Sequence, residues 1–247
     1  MKKYGLLGFP LSHSFSKGYF TEKFETEKID AGYQNFELPK AEQIIHELNN
    51  DTSIHGLNVT IPHKQSIMPL LDGISQEAQE IGAVNVVKVD HIGEDKFSLK
   101  GYNTDVHGFS ESIKPLLQLH HKKALILGTG GASKAVFYGL KRIGIAPTYV
   151  SRKASEGILS YEQLSESIMK EHTVIVNATP LGTFPKDETC PDIPYHLITD
   201  QHLLFDLVYN PAETLFMKRG ISQGAVVKNG LEMLHLQAEE AWTIWNR

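Results

Sequence analysis

The chain has 247 residues, 41% hydrophobic and 21% charged, enough apolar material for one large domain or two moderate ones. Its 24 Lys and Arg against 29 Asp and Glu give a formal charge of -5, which leaves no basic footprint for nucleic acid. The single cysteine, Cys190, excludes an intrachain disulfide and fits a reducing compartment.

The apolar run after Lys2 and Lys3 is too short for a signal peptide, and no segment approaches the length of a membrane span. A cytoplasmic protein with no membrane partner is expected. In chain order, residues 4–7 predict a strand, 15–27 a helix and 34–38 a second strand. Pro39 then opens a helix through 48, as proline is tolerated in a first turn. Residues 57–61 alternate as a third strand, with Leu57, Val59 and Ile61 on one face and Asn58 and Thr60 on the other. Pro62 ends the ladder, so His63 and Lys64 fall at the strand end, ahead of a short helix at 64–71. Runs at 84–89 and 97–101 pair as a hairpin, giving a first α/β block with mixed strand directions.

Asn103-Thr104-Asp105 precedes an amphipathic helix at 106–119, for which Thr104 or Asp105 is a candidate N-cap. The wholly apolar run 124–127 is a strand of the kind buried in a parallel sheet. A helix at 132–143, strands at 148–150, 174–176 and 204–207, and a helix at 161–170 complete a βαβ series. The last helix, 231–245, follows Asn229-Gly230. The expected architecture is α/β with two domains. Residues 1–104 form a block with a mixed sheet, and 105–230 form a Rossmann-like, doubly wound domain.

Several segments carry candidate chemistry. Gly128, Thr129, Gly130, Gly131 and Ala132 join a buried strand to a helix, the setting in which glycines let a backbone approach a pyrophosphate. The next strand ends in Ser151, Arg152 and Lys153, with cations where an NAD site usually carries an acid, so NADP is favoured over NAD. Loops 177–182 and 206–211 sit at strand carboxyl ends, where open α/β sheets bind ligands, although Asn, Gly and Pro also make turns without ligands. Ser14 and Ser16 follow the first strand and either cap a helix or bind a polar ligand. Lys64 and Asp105 are an oppositely charged pair fit for proton transfer, while an isolated lysine is more often a surface charge.

In this order the segments resemble the shikimate dehydrogenase family. The matching stretches are Leu11-Ser12-His13-Ser14-Phe15-Ser16, Asn58-Val59-Thr60-Ile61-Pro62-His63-Lys64, Gly82-Ala83-Val84-Asn85, Gly101-Tyr102-Asn103-Thr104-Asp105-Val106-His107-Gly108, 128–135, 177–182, 206–211 and 229–237. The resemblance implies reversible NADPH-dependent reduction of 3-dehydroshikimate to shikimate, on the route to chorismate and the aromatic amino acids. It implies that Lys64 and Asp105 handle the proton, and that Ser14 and Ser16 hold the substrate carboxylate. Thr60, Asn85, Asp105, Tyr209 and Gln237 contact the carboxylate or ring hydroxyls. Gly128, Thr129, Gly130, Gly131, Ala132, Ser151, Arg152, Lys153, Leu207 and Gly230 meet NADP. It also implies that the C-terminal helix 231–247 completes residues 1–104 as a substrate-binding and catalytic domain, and that 105–230 binds NADP. No metal is implied, and a monomer or homodimer is expected.

The chain departs from the family at Lys17, Gln76, Ser151-Arg152-Lys153 and Thr183, where proline, an acid, Asn-Arg-Thr and methionine are common. A quinate/shikimate dehydrogenase using NAD and a catalytically silent NADP- or shikimate-binding protein are the alternatives at this point.

Overall fold

The structure, a computed structural model, describes residues 1–11, 15–93 and 96–247. The chain divides into two units, Met1–Thr104 with Ala238–Arg247, and Asp105–Gln237. The first contains β1 (Lys2–Gly8), α1 (Phe15–Thr26), β2 (Ala31–Glu37), α2 (Ile44–Asn50), β3 (Ile54–Val59), α3 (His63–Ser66), β4 (Gly73–Ile74), α4 (Gln76–Ile81), β5 (Val86–His91) and β6 (Phe97–Tyr102). Its sheet runs β2-β1-β3-β5-β6-β4. β5 is antiparallel to β3 and β6, while β1 is parallel to β2 and β3.

Alternation along each strand supplies two cores. Leu7, Leu57, Val59 and Val87 pack with Ile44 and Leu48 on one face. Tyr4, Leu6, Tyr33 and Val86 pack with Phe20, Phe24, Ala241 and Trp245 on the other. Ile61, expected on the buried face of β3, is 75% exposed because the strand ends at Val59.

The second unit contains α5 (Asp105–Ile113), β7 (Lys123–Leu127), α6 (Gly131–Arg142), β8 (Ala146–Ser151), β9 (Ile158–Ser160), α7 (Glu166–Glu171), β10 (Val174–Asn177), β11 (Leu203–Asp206), α8 (Leu215–Ile221) and β12 (Val226–Lys228). Its sheet runs β12-β11-β10-β7-β8-β9, with every pair parallel. In β7, Ala124 and Ile126 join the core under α5 and α6, whereas Leu125 and Leu127 join the one under α7 and α8. A strand buried on both faces needs no polar alternation, which is why 124–127 reads as wholly apolar.

The closing helix, α9 (Leu231–Asn246), is divided: residues 231–237 group with the second unit and Ala238–Arg247 with the first. The sequence-based assignment placed all of 231–247 in the first. Three expected helices are also shorter or broken. Residues 41–43 form a 3-10 turn ahead of α2, α3 is followed by a 3-10 turn at 68–70 holding Pro69, and α5 ends before a 3-10 turn holding Pro115. A proline ring clashes with the carbonyl four residues back, so the two proline-containing turns fall where a helix cannot continue.

Candidate functional site

In the first unit the site elements meet at the carboxyl end of β3. Thr60 N–H donates to the Leu7 carbonyl at 2.9 Å, which carries the strand path past its last ladder residue. The turn into α3 puts His63 inward, where Nε2 is 2.7 Å from the Leu38 carbonyl, and leaves Lys64 half-buried. His63 is thus a structural tie to the chain beyond β2.

Residues 83–85 then gather two segments. Val84 N–H donates to the Lys64 carbonyl at 2.8 Å, and Asn103 Nδ2 donates to the Ala83 carbonyl at 3.0 Å. Asn85 Oδ1 accepts from Thr104 N–H at 2.7 Å while its Nδ2 donates to Thr104 Oγ1 at 3.2 Å. Asn85 and Thr104 are both buried, so these bonds are made away from water and fix the backbone that leads into Asp105. Asp105 is itself buried and opens α5 in the second unit.

Ser14 lies outside the described residues. Ser16 lies in the first turn of α1, and on β2 the Tyr33 hydroxyl donates to Asn58 Oδ1 at 2.7 Å. Tyr33 was not among the expected site residues. Its only local signal is an amphipathic aromatic at an inward position of β2, which says nothing of a partner on β3.

The glycine turn of the second unit fits a dinucleotide on its own geometry. Gly128 has φ +102, and a Cβ there would stand 2.9 Å from Thr179 Cγ2, so glycine keeps this turn tight. At Gly130 and Gly131 a Cβ would meet nothing within 4 Å, so the N-terminus of the twelve-residue α6 faces open space. The first amides of a helix lack intrahelical acceptors and favour phosphate. Thr129 is exposed and Ala132 half-buried beside them, and Ser133 Oγ donates to the Gly130 carbonyl at 2.6 Å, bracing the turn.

Ser151 ends β8, with Arg152 and Lys153 exposed beyond it. Burial raises the Tyr161 phenol, and the positive charge of Arg152 opposes that shift. This donor set, one planar guanidinium and one ammonium, suits a 2′-phosphate.

The loops after β10 and β11 are tied by one buried carboxylate. Asp206 Oδ1 accepts from Asn177 Nδ2 at 2.9 Å and from Val208 N–H at 3.0 Å, and Oδ2 accepts from Thr214 Oγ1 at 2.6 Å. Burial pushes the Asp206 carboxyl up to about 6 against these three donors, which pull it down. Asn177 Oδ1 in turn accepts from Thr179 N–H at 3.0 Å and Thr179 Oγ1 at 2.6 Å.

Leu207 N–H donates to the Asn177 carbonyl at 3.0 Å, and Gly230 packs so close that a Cβ would stand 2.3 Å from the Leu207 carbonyl oxygen. Tyr209 is 39% exposed on the same loop. Gln237, half-buried on α9, packs against Gly108 of α5. The turn chemistry expected of both loops is therefore present, organised around an acid that their motifs alone did not mark as central.

Among the described residues, no helix is long and apolar enough to cross a membrane, and no group of His, Cys, Asp and Glu could hold a metal ion.

Residues 6–87 match the family model of the shikimate dehydrogenase substrate binding domain. The chain is 38% identical to the shikimate dehydrogenase (NADP(+)) of Clostridium beijerinckii over 258 residues, which cover 99% of this chain and 92% of that one. Among solved structures it is similar to the shikimate dehydrogenase of Aquifex aeolicus, with a TM-score of 0.86, 34% identity and coverage of 100% and 92%. It is also similar to the shikimate 5-dehydrogenase of Thermus thermophilus in complex with NADP(H) and shikimate, with a TM-score of 0.84, 30% identity and coverage of 99% and 93%. Family-specific motifs in order, a two-sheet α/β architecture and end-to-end likeness agree: this chain belongs to the shikimate dehydrogenase family.

Proposed function

We propose that this chain catalyses the reversible, NADP-linked interconversion of shikimate and 3-dehydroshikimate. One observation carries the chemistry. The backbone of Lys64 and the residue before Asp105 are both fastened to residues 83–85, so the bearers of the proton-handling pair are set by one short segment. When bound, NADP supplies or takes up the hydride at its nicotinamide ring.

In the reductive direction Lys64 Nζ gives a proton to the ring ketone oxygen as it becomes an alkoxide, and in the oxidative direction it takes one back. Asp105 orients that ammonium and shares its proton. Ser14 and Ser16 hold the substrate carboxylate. Thr60, Asn85, Tyr209 and Gln237 distinguish the ring hydroxyls, because a site built to hydrogen-bond hydroxyls rejects compounds lacking them.

The 2′-phosphate of the cofactor is read by Arg152 and Lys153 with Ser151. Its pyrophosphate would be held by backbone at Gly128, Thr129, Gly130, Gly131 and Ala132, while Leu207 and Gly230 would line the cofactor. The enzyme works in the cytoplasm as a monomer or homodimer, in the pathway to chorismate and the aromatic amino acids.

The test is NADPH absorbance at neutral to alkaline pH with purified protein and shikimate. Turnover with NADP exceeding that with NAD is expected, and no absorbance change with either cofactor would refute the proposal. Lys64→Ala should lower kcat by roughly 10²- to 10⁴-fold with little change in KM.

A further inference from the structure

Four parallel strands of the second unit end side by side, in the order β11-β10-β7-β8. β8 ends at Ser151, ahead of Arg152 and Lys153, and β7 ends just before the glycine turn at Gly128. On the NADP reading proposed above, on which this assignment rests, the 2′-phosphate lies after β8 and the pyrophosphate after β7. The nicotinamide half of the dinucleotide then falls along the loops after β10 and β11.

At the centre of those loops is a closed set of hydrogen bonds. Asn177 and Asp206, the last residues of β10 and β11, are both fully buried. The Asn177 amide has four bonds to make and makes all four. Its Nδ2 donates to Asp206 Oδ1 at 2.9 Å and to the Leu181 carbonyl at 3.3 Å. Its Oδ1 accepts from Thr179 N–H at 3.0 Å and from Thr179 Oγ1 at 2.6 Å. An ionised carboxylate only accepts, so Asp206 decides which end of the amide faces it and leaves Oδ1 to Thr179.

Thr179 carries that order to the glycine turn. Its Cγ2 stands 2.9 Å from the place of a Cβ on Gly128, and the Ala178 amide beside it donates to the Leu127 carbonyl at 2.9 Å. On its other side Asp206 holds Val208 N–H at 3.0 Å, between Leu207 and Tyr209, and the Thr214 hydroxyl at 2.6 Å. A neutral Asn or Ser makes an ordinary turn, so turn formation alone does not call for a buried acid held by neutral donors. What the acid adds is a single orientation for Asn177.

We propose that Asp206 is a positioning residue for the nicotinamide half of NADP. By fixing the Asn177 amide it sets Thr179 against the glycine turn, and by holding Val208 N–H it sets Leu207 and Tyr209 on the neighbouring loop. With no exposed surface of its own, it acts through these residues and not on the cofactor.

Calorimetric titration of the full chain with NADPH and with adenosine 2′,5′-bisphosphate, which lacks the nicotinamide half, separates positioning from folding. The titrations are run at about pH 8, where a carboxyl pushed up to about 6 is ionised. Asn177→Asp is isosteric and turns a second carboxylate oxygen on Asp206 in place of the Nδ2 donor. It is expected to weaken NADPH about tenfold, the scale of one hydrogen bond to a charged group, and to leave the bisphosphate within about twofold. Asp206→Asn keeps the shape but lets either amide end face Asn177, and should weaken NADPH about threefold with the bisphosphate again unmoved.

Unaltered NADPH affinity in both variants, or equal weakening of both ligands, would overturn the assignment. Should Asn177→Asp fail to fold, Asp206→Asn decides by the same two titrations. An unmodified protein that binds neither ligand overturns the NADP reading and the assignment together. One that binds both, with variants that behave like it, overturns the assignment alone.

Discussion

Gly56 lies beneath the indole of Trp245, so that a Cβ at this position would stand 2.4 Å from two atoms of the ring. The indole has little room to move: it stacks on Tyr4 at 4.8 Å and its N–H donates to the Val87 carbonyl at 3.1 Å. Gly56→Ala should therefore destabilise the protein by about 1–3 kcal/mol, the usual cost of overpacking, read as a lowered midpoint in chemical denaturation. Gly230→Ala presses on a backbone oxygen that cannot give, and should raise KM for NADP more than KM for shikimate. At this scale the sequence is an uneven guide. Gly128 was legible because strand, glycines and helix are contiguous. Gly56 was not, since nothing near it announces a tryptophan from the far end of the chain. Tyr33 was hidden for the same reason, because its hydrogen-bond partner Asn58 sits on β3.

β11 carries opposed titrations at its two ends. His202, just before the strand, is buried, and burial holds its imidazole below the ordinary value of 6.5 although its Nε2 meets the Met169 carbonyl at 3.1 Å. The unfolded chain thus binds a proton there more readily, and this end loses stability as pH falls below about 6.5. Asp206, at the other end, is raised from 3.8 to about 6, so the folded state binds the proton more readily and stability falls as pH rises through that window. Asp206→Asn is nearly isosteric and should remove the second slope. Denaturant midpoints from pH 4 to 7 then fall monotonically on acidification in the variant, while the parent protein is partly compensated.

Longer strands and helices were readable, β7 from its continuous apolar run and α9 from its helical period. The two-residue β4, the three-residue edge strands β9 and β12, and α8 escaped notice. Runs that short repeat a hydrophobic pattern too few times to stand out and are fixed by the neighbours they pack against.

At the scale of the whole molecule, the change from a sheet with antiparallel strands to a wholly parallel one was legible in the shift from alternating to continuous apolar runs. The division of α9 was not, because a helix pattern records which face is apolar and not which core receives it. That division has a practical consequence. Both tryptophans of the chain, Trp242 and Trp245, fall in Ala238–Arg247 and pack among Tyr4 and Phe24 of the first unit. Intrinsic tryptophan emission is thus a native optical label for one half of the protein, while far-ultraviolet dichroism sees both halves. Cofactor binding in the second unit should raise the dichroism midpoint with NADP concentration. Whether the emission midpoint moves with it would measure, without any attached dye, how far the two halves melt as one.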